Sequence, residues 1–393
     1  MRVAIAGAGI GGMTLAALLA RTGHEVVLIE KASAFGEVGA GIQLSSNATR
    51  VLSVLGLDDE LARIGTVPER VVLRRWKDDA VLLARPRGSL LVERYGHPYY
   101  NVYRPDLVDV LASALGDVDT SFGAEVVGAR QVIDGAALDL SDGSSIEADV
   151  VVGADGIHSA VRSAVFGRSE SRFSRSVAYR ALIPRSAVPD LPVEVTNRLG
   201  PGQHLVSYFV GEGQRFLNLV CVVPESTWDV EGWNEPASAD ELRSHFAEWS
   251  PDLVELLGLV DDPVFKWALH DRPPMERWVD GRIALLGDAC HAMLPFMAQG
   301  AAQAIEDAAV LARLLDRHGP AEVPAALDAY TRIRPPRAAR LQELSLRNAT
   351  TYHLQDGPEQ QGRDELFAAA AQVPDHDPFE WLYGHDVLTE ELG

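Results

Sequence analysis

The chain has 393 residues, 47% of them apolar, which is long for one compact domain and ample for a large core. It carries 35 basic against 56 acidic residues, a formal net charge of −21, and this argues against nucleic acid and anionic membrane as partners. No apolar run reaches spanning length, the N-terminus does not read as a secretory signal, and Cys221 and Cys290 form neither a metal-ligand spacing nor a disulfide framework, so the expected location is the cytoplasm.

Arg2 to Ala6 predicts a short buried strand. GAGIGG follows, with Gly7, Gly9 and Gly12 at G-x-G-x-x-G spacing, then a helix ending at Gly23 and a second strand, HEVVLIE, closing on Glu30. Strand, glycine turn, helix, strand and acid in this order form a dinucleotide-binding fingerprint. Gly7 permits the tight turn, Gly9 lets a pyrophosphate approach the backbone, and Gly12 lets helix and strand pack closely. Glu30 can accept hydrogen bonds from ribose hydroxyls. An acid there favours FAD or NAD over NADP at this site.

A loop with Gly36, Gly39 and Gly41 leads to a helix beginning near Ser46 or Asn47. Such a loop suits a chain following an extended cofactor; a plain connection is the alternative. Val71 to Arg85 and Leu90 to Arg94 read as hairpin strands. A helix starts after Tyr103-Arg104-Pro105, where Arg104 is placed either to reach a phosphate or to be solvated. Ala124 to Val132 and Ala136 to Leu140 read as a meander. Next come a strand over Asp149 to Gly153, a tight Asp155-Gly156 turn, and a helix carrying Ser159 and Arg162.

From about Phe173 to Trp267 alternating strands between Pro-, Gly- and Trp-bearing loops predict a mostly antiparallel sheet, a second domain laid against the first. A helical stretch with a capping-box start, SADE, accompanies them. RIALLGDACHAMLPFMAQGAAQAIEDAA then returns to the first domain, which is therefore discontinuous. It reads as a strand from Ile283 to Leu286, Asp288 at its end, a loop with Pro295, and a helix beginning near Gly300. No side chain larger than alanine precedes Gln303 in that helix, so its free N–H groups and dipole are open to an anion. Asp288 stands where ligands of open α/β sheets bind. An ordinary strand–turn–helix is the alternative. Further on, a helical run is expected to break at Pro335-Pro336. The tail reads as loop-like until FEWLYGHDV, an exposed-looking aromatic patch suited to docking on the body or on a partner subunit.

GAGIGG with Glu30, GADGIHSAVR and LLGDACHAMLPFMAQGAAQAIEDA, in this order, resemble the FAD-dependent aromatic hydroxylases. These are the class A flavoprotein monooxygenases similar to para-hydroxybenzoate hydroxylase. The likeness leans toward salicylate hydroxylase, 3-hydroxybenzoate 6-hydroxylase and 6-hydroxynicotinate 3-monooxygenase, through the GAGIQ-type loop, the His-x-x-x-Tyr pair in HLVSY and the aromatic C-terminal segment. It implies an α/β fold: a Rossmann-like FAD-binding domain of the GR2 type in two parts, 1–170 and 276–345. A mostly antiparallel substrate-binding sheet is inserted at 171–275, and a C-terminal helix and tail at 346–393 offer a homodimer contact.

The resemblance also implies roles. Gly7, Gly9, Gly11 and Gly12 wrap the FAD pyrophosphate, Glu30 and Lys31 serve the adenosine side, and Arg104 and Val126 also touch FAD. Asp155 is tied to the use of FAD and NAD(P)H, with Arg162 in support. Asp288 holds a ribityl hydroxyl and Pro295 lies beside the isoalloxazine. The N–H groups of Gly300 and Ala301 face the flavin O2, where a helix N-terminus stabilises the anionic reduced ring. NAD(P)H and O2 are the implied co-substrates, a C4a-hydroperoxyflavin the oxygen donor, and a small phenolic or heteroaromatic ring the acceptor.

His204 and Tyr208 lie four apart on one strand, hence on one face, roughly 13 Å apart along it. With an ordinary pKa, His204 is suited to taking the proton of a ring hydroxyl that Tyr208 orients. Hydrogen bonding within the domain is the alternative. Gln43 is a further substrate contact, although some relatives carry His there. Phe296 stands where some relatives carry a polar group. No arginine near HLVSYFV is an obvious carboxylate clamp; Arg180 and Arg215 are candidates. His291 lacks metal-ligand company and reads as structural. Two other functions compete: the same fold hydroxylating or epoxidising a larger polycyclic or terpenoid natural product, and a non-catalytic FAD-binding protein.

Overall fold

The structure, a computed structural model, describes residues 1–35, 40–228, 234–372 and 377–392; Gly36 and Gly39 of the expected glycine loop lie outside the described residues. Six strands form the first sheet, in the order Val279–Asp280, Ile283–Leu285, Val150–Gly153, Arg2–Ala6, Glu25–Glu30, Asp119–Phe122. All neighbours are parallel except the edge pair at Val279–Asp280. A parallel sheet covered on both faces needs apolar runs rather than alternation. Val3 to Ala6 and Val150 to Gly153 supply them, all buried. The chain runs outward from Arg2–Ala6 to one side and later returns to Val150–Gly153 on the other. Connections part between those two central strands, and the crevice at their carboxyl ends is where such sheets hold ligands.

The second sheet has eight strands, in the order Asn234–Ala237, Val264–Asp271, Arg172–Pro184, Phe216–Pro224, Gln203–Val210, Val195–Gly200, Arg70–Arg75, Val81–Pro86. Its last two strands come from an early hairpin, so the sheet extends beyond the 171–275 stretch. Side chains sort by the period of two. Tyr179, Leu205, Phe209, Leu219 and Cys221 pack under the helices Ala239–His245 and Pro251–Leu257, against Leu242, Phe246 and Leu253. The opposite face, with His204, Val206 and Tyr208, looks into the cavity between the two sheets.

Three local expectations are corrected. Leu90 to Arg94 is not a strand but lies in the helix Gly88–Tyr95, which ends at Gly96 in the left-handed region, φ 77°. A short apolar run does not distinguish the two by itself, and here Leu91 and Tyr95, four apart, share one buried cluster. The helix Val323–Tyr352 does not break at Pro335-Pro336. The prolines remove two backbone donors, yet Tyr330, Arg334, Ala338 and Leu341 are buried along it and hold it in register. The tail also contains a helix, Pro358–Ala371, started by a proline in its first turn after Gly357. FEWLYGHDV docks on the body, one of the two expectations for it: Leu382 and Tyr383 are buried against Leu91, Tyr99 and Leu341 of the same chain. No helix among the described residues is long and apolar enough to cross a membrane.

Candidate active site

A cavity of about 710 Å³ separates the two sheets. Gly9, Gly12, Gly156, Asp288, Gly300 and Ala301 line it from the first sheet; Asn197, His204, Val206, Tyr208 and Val222 line it from the second. Tyr352, Phe379 and Tyr383 close it from the C-terminal segment.

The first turn follows the expected division of labour among its glycines. Gly7 has φ 100°, and a Cβ there would lie 2.5 Å from the Ala154 carbonyl oxygen. A Cβ on Gly12 would collide with the Gly7 carbonyl, whereas one on Gly9 would meet open space. Gly9 caps the helix Ile10–Arg21 without a side-chain bond, so first-turn N–H groups point into that space. Glu30 accepts hydrogen bonds from the N–H groups of Ala8 at 2.9 Å and Ala32 at 2.8 Å, which sets its carboxylate beside the glycine turn. Lys31 follows it, exposed. The Ala124 N–H donates to the Glu30 carbonyl at 3.1 Å and brings the start of Val126–Val132 close by, although Val126 does not line the cavity. Arg104 does line it, and its N–H donates to Ala40 at 2.8 Å.

Asp155 sits just outside the lining. Its Oδ2 accepts from the Val161 N–H at 3.1 Å, its buried Oδ1 has no partner among the described residues, and burial raises its pKa. Beneath it the buried Arg162 donates to the carbonyls of Ile157 and Ala289, each at 2.9 Å, tying this turn to the one that carries Asp288. Burial lowers the Arg162 pKa to about 10. Asp288 is exposed into the cavity between the buried Gly287 and Ala289. Pro295 is likewise exposed at the cavity wall. The 18-residue helix Gly300–Arg317 has no side-chain cap: Gln299 instead donates to Ser45 at 2.9 Å. Its first N–H groups are therefore open to a ligand. Donors at Gly9, an acceptor at Asp288 and a positive dipole end at Gly300 converge on one crevice, and this set fits the pyrophosphate, polyol chain and anionic ring of FAD.

On the facing wall, His204 and Tyr208 are 2% and 4% exposed. His204 Nδ1 lies 2.7 Å from His353 Nε2, and its ring packs on Phe296 at a centroid distance of 5.2 Å. The expected ordinary pKa of His204 does not hold. Burial holds it well below the usual imidazole range and His353 at about 4, so both rings are neutral near pH 7. Burial also pushes the Tyr208 phenol up to about 12. Gly41 lies flat on this ring, for a Cβ would come within 2.6 Å of Tyr208 Cε2, and its N–H donates to Asn218 at 2.8 Å. Gln43 lines the cavity and donates to Asn101 at 3.3 Å.

Of the two clamp candidates, Arg180 reaches the cavity and stacks over Trp267 at 5.3 Å, while Arg215 faces Asp106 at 3.3 Å outside it. His291 is bound to Asp307 at 2.6 Å, buried and outside the lining, but it does not lack ligand-type company: Cys290, His291 and Asp307 bring their ligand atoms within 4.8 Å of one another. His353, Arg87 and Tyr99 were not anticipated. His353 ends the helix expected to break, and the other two flank the helix expected to be a strand, so in neither case did the misread element point toward the site.

The neutral pair His204–His353 carries a pH signature. Between the unfolded imidazole pKa near 6.5 and the folded value of about 4 for His353, the unfolded chain binds protons that the folded chain does not. Stability from this pair is therefore present above pH ~6.5 and is lost as pH falls toward 4. His353→Gln is expected to lower proton uptake on unfolding near pH 5 by about one. Unfolding midpoints followed from pH 7 to 4.5 check this, and an unchanged slope refutes it.

The family model described as FAD binding domain matches residues 1–345. The chain belongs to the FAD-dependent aromatic hydroxylases of the class A flavoprotein monooxygenases. It is 40% identical over 389 residues to 3-amino-4-hydroxybenzoate 2-monooxygenase of Streptomyces platensis, covering 98% of this chain and 96% of that one. Over 393 residues it is 36% identical to 6-hydroxynicotinate 3-monooxygenase of Bordetella bronchiseptica, covering 100% and 97%. Among solved structures it resembles a salicylate hydroxylase substrate complex, with a TM-score of 0.84, 28% identity, and coverage of 98% and 96%. It also resembles Klebsiella pneumoniae HpxO complexed with FAD and uric acid, with a TM-score of 0.85, 26% identity, and coverage of 100% and 98%. The protein is an FAD- and NAD(P)H-dependent aromatic monooxygenase. The reading as a non-catalytic FAD-binding protein is thereby set aside.

Proposed function

We propose that this enzyme hydroxylates a small aromatic or heteroaromatic acid bearing a ring hydroxyl. That is the class of compound named for its relatives, 3-amino-4-hydroxybenzoate, 6-hydroxynicotinate and 3-hydroxybenzoate. The observation that carries this reading is the placement of His204 and Tyr208, four residues apart on one sheet face, buried, opposite the crevice that fits FAD. When bound, FAD reduced by NAD(P)H supplies the activated oxygen from O2. Gly7, Gly9, Gly11 and Gly12 would hold its pyrophosphate and Glu30 and Lys31 its adenosine side, and Arg104 and Val126 would also touch it. Asp288 would hold its ribityl chain and Pro295, Gly300 and Ala301 its flavin ring, with Asp155 tied to the use of FAD and NAD(P)H.

The chain's own part is to bind, orient and move one proton. Tyr208 stays protonated across the working range and donates to the oxyanion of the ring hydroxyl. His204 uses Nδ1 for His353, which leaves Nε2 to accept that hydroxyl's proton. Because burial disfavours its charged form, His204 hands a proton on from Nδ1 to His353, and the partly exposed His353, itself disfavoured as a cation, releases one to solvent. Phe296 and Val222 keep the ring face dry. A substrate panel tests the reading: NAD(P)H oxidation and product mass with these three acids, set against polycyclic phenols and terpenoids. At least one acid is expected to stimulate oxidation and to yield a hydroxylated product. Stimulation by the larger compounds alone overturns the proposal.

A further inference from the structure

The cavity contains a buried cation with no counter-charge among the described residues. Arg87 stands at the start of Gly88–Tyr95, lines the cavity, and is 8% exposed. Its Nη1 makes a long bond, 3.3 Å, to the carbonyl of its own neighbour Pro86, and its buried Nε has no partner among the described residues. Among the described residues no carboxylate pairs with it. Asp377 also lines the cavity, but its oxygens already accept from Tyr95 Oη at 2.8 Å and the Phe379 N–H at 2.9 Å. A guanidinium stays charged in such a place, and burying that charge without an anion is costly.

The surroundings say what kind of anion fits. The Arg87 guanidinium lies 5.5 Å from the centre of the Tyr383 ring, and the Tyr99 ring meets Tyr383 edge-on at 6.1 Å. Tyr99 lies within electrostatic reach of both Arg87 and Tyr208, which links this end of the cavity to the strand that carries His204. Leu91 adds an apolar wall. A planar monoanion on an aromatic ring suits one forked cation among phenols. We propose that Arg87, flanked by Tyr99 and Tyr383, binds the carboxylate of the substrate. This assignment rests on the aromatic-acid reading above. Arg180, the other buried-face arginine considered, is engaged over Trp267.

The test uses FAD-loaded enzyme and three matched pairs: 3-amino-4-hydroxybenzoate with 2-aminophenol, 6-hydroxynicotinate with 2-hydroxypyridine, and 3-hydroxybenzoate with phenol. Kd values come from perturbation of the flavin absorbance. Wild type is expected to prefer at least one acid over its decarboxylated counterpart by about 30-fold. In Arg87→Gln that ratio collapses to near one, Arg87→Lys keeps part of it, and both retain FAD. The inference is overturned, with the aromatic-acid reading intact, if Arg87→Gln keeps the preference or if Arg180→Gln alone abolishes it. Loss of FAD from Arg87→Gln, with weakened FAD binding, also overturns it, because the arginine then serves the cofactor. If no acid binds or stimulates turnover in wild type, the reading and the inference fall together.

Discussion

Arg334→Met is expected to destabilise the protein by about 3–5 kcal/mol, because it leaves buried carboxylates without their main counter-charge. Arg334 is wholly buried and donates to Glu306 Oε2, Asp307 Oδ1 and Gln303 Oε1, each at 2.7 Å. Arg337 at 2.7 Å and Asn47 at 2.6 Å complete the shell of Glu306, and His291 at 2.6 Å that of Asp307. The paired cations hold both carboxyls below their usual range against the pull of burial. Removing the central fork weakens the pairing of two charges at once, leaving Glu306 to Arg337 and Asp307 to His291. Arg334→Lys, which keeps the charge and loses the fork, should fall between. Replacing Arg334, Glu306 and Asp307 together by Met, Gln and Asn should recover much of the loss. Denaturant midpoints check the series, and a midpoint unmoved in Arg334→Met contradicts it. The damage should also reach the cofactor, since Asp307 Oδ2 accepts from the Gly287 N–H at 3.0 Å and so fixes the turn that presents Asp288.

For the chemistry, His204→Ala is expected to slow hydroxylation by about 10²–10⁴-fold, the usual scale of a general base. Tyr208→Phe should cost about 10²–10³-fold, the scale of one preorganised donor to an oxyanion. Both should keep FAD, because neither side chain belongs to the crevice of the first sheet. If the two groups serve one ring hydroxyl, the double variant loses less than the product of the single losses. Product formed per NAD(P)H consumed separates lost chemistry from lost binding, since reduction of FAD can go on without hydroxylation. Coupled turnover unchanged in both single variants would remove His204 and Tyr208 from the mechanism.

The legible parts of the sequence were those in which one local stretch carries its own physics. The glycine turn with Glu30 points to a dinucleotide by itself, the strand ending at Asp288 and the uncapped helix at Gly300 are each compatible with a ligand, and the structure brings the Gly9, Asp288 and Gly300 turns to one crevice. The period of two in HLVSYFVG likewise told which residues face the cavity. What stayed hidden depends on distant partners. Nothing near His204 signals that His353, 149 positions later, will hold its Nδ1, or that burial will depress its pKa. Arg87 owes its place to a turn between a strand and the helix Gly88–Tyr95, and its lack of a carboxylate partner among the described residues depends on side chains distant in sequence. The Pro335-Pro336 helix persisted because side-chain packing outweighed two missing backbone bonds, a balance that propensity does not contain.

The strand Ile283–Leu285 has a consequence for how the protein is made. It pairs in parallel with Val151 to Gly153, in a sheet begun by Arg2–Ala6. At about 5–20 residues per second, the ribosome delivers that strand on the order of tens of seconds after the first. Until then the valine-rich edge at Val150–Gly153 stands unpaired, and an open edge of that kind accepts strands from other chains. The nascent protein is therefore most prone to aggregate while the inserted sheet is being synthesised, and FAD can act as a folding ligand only once the last turn of its site has emerged.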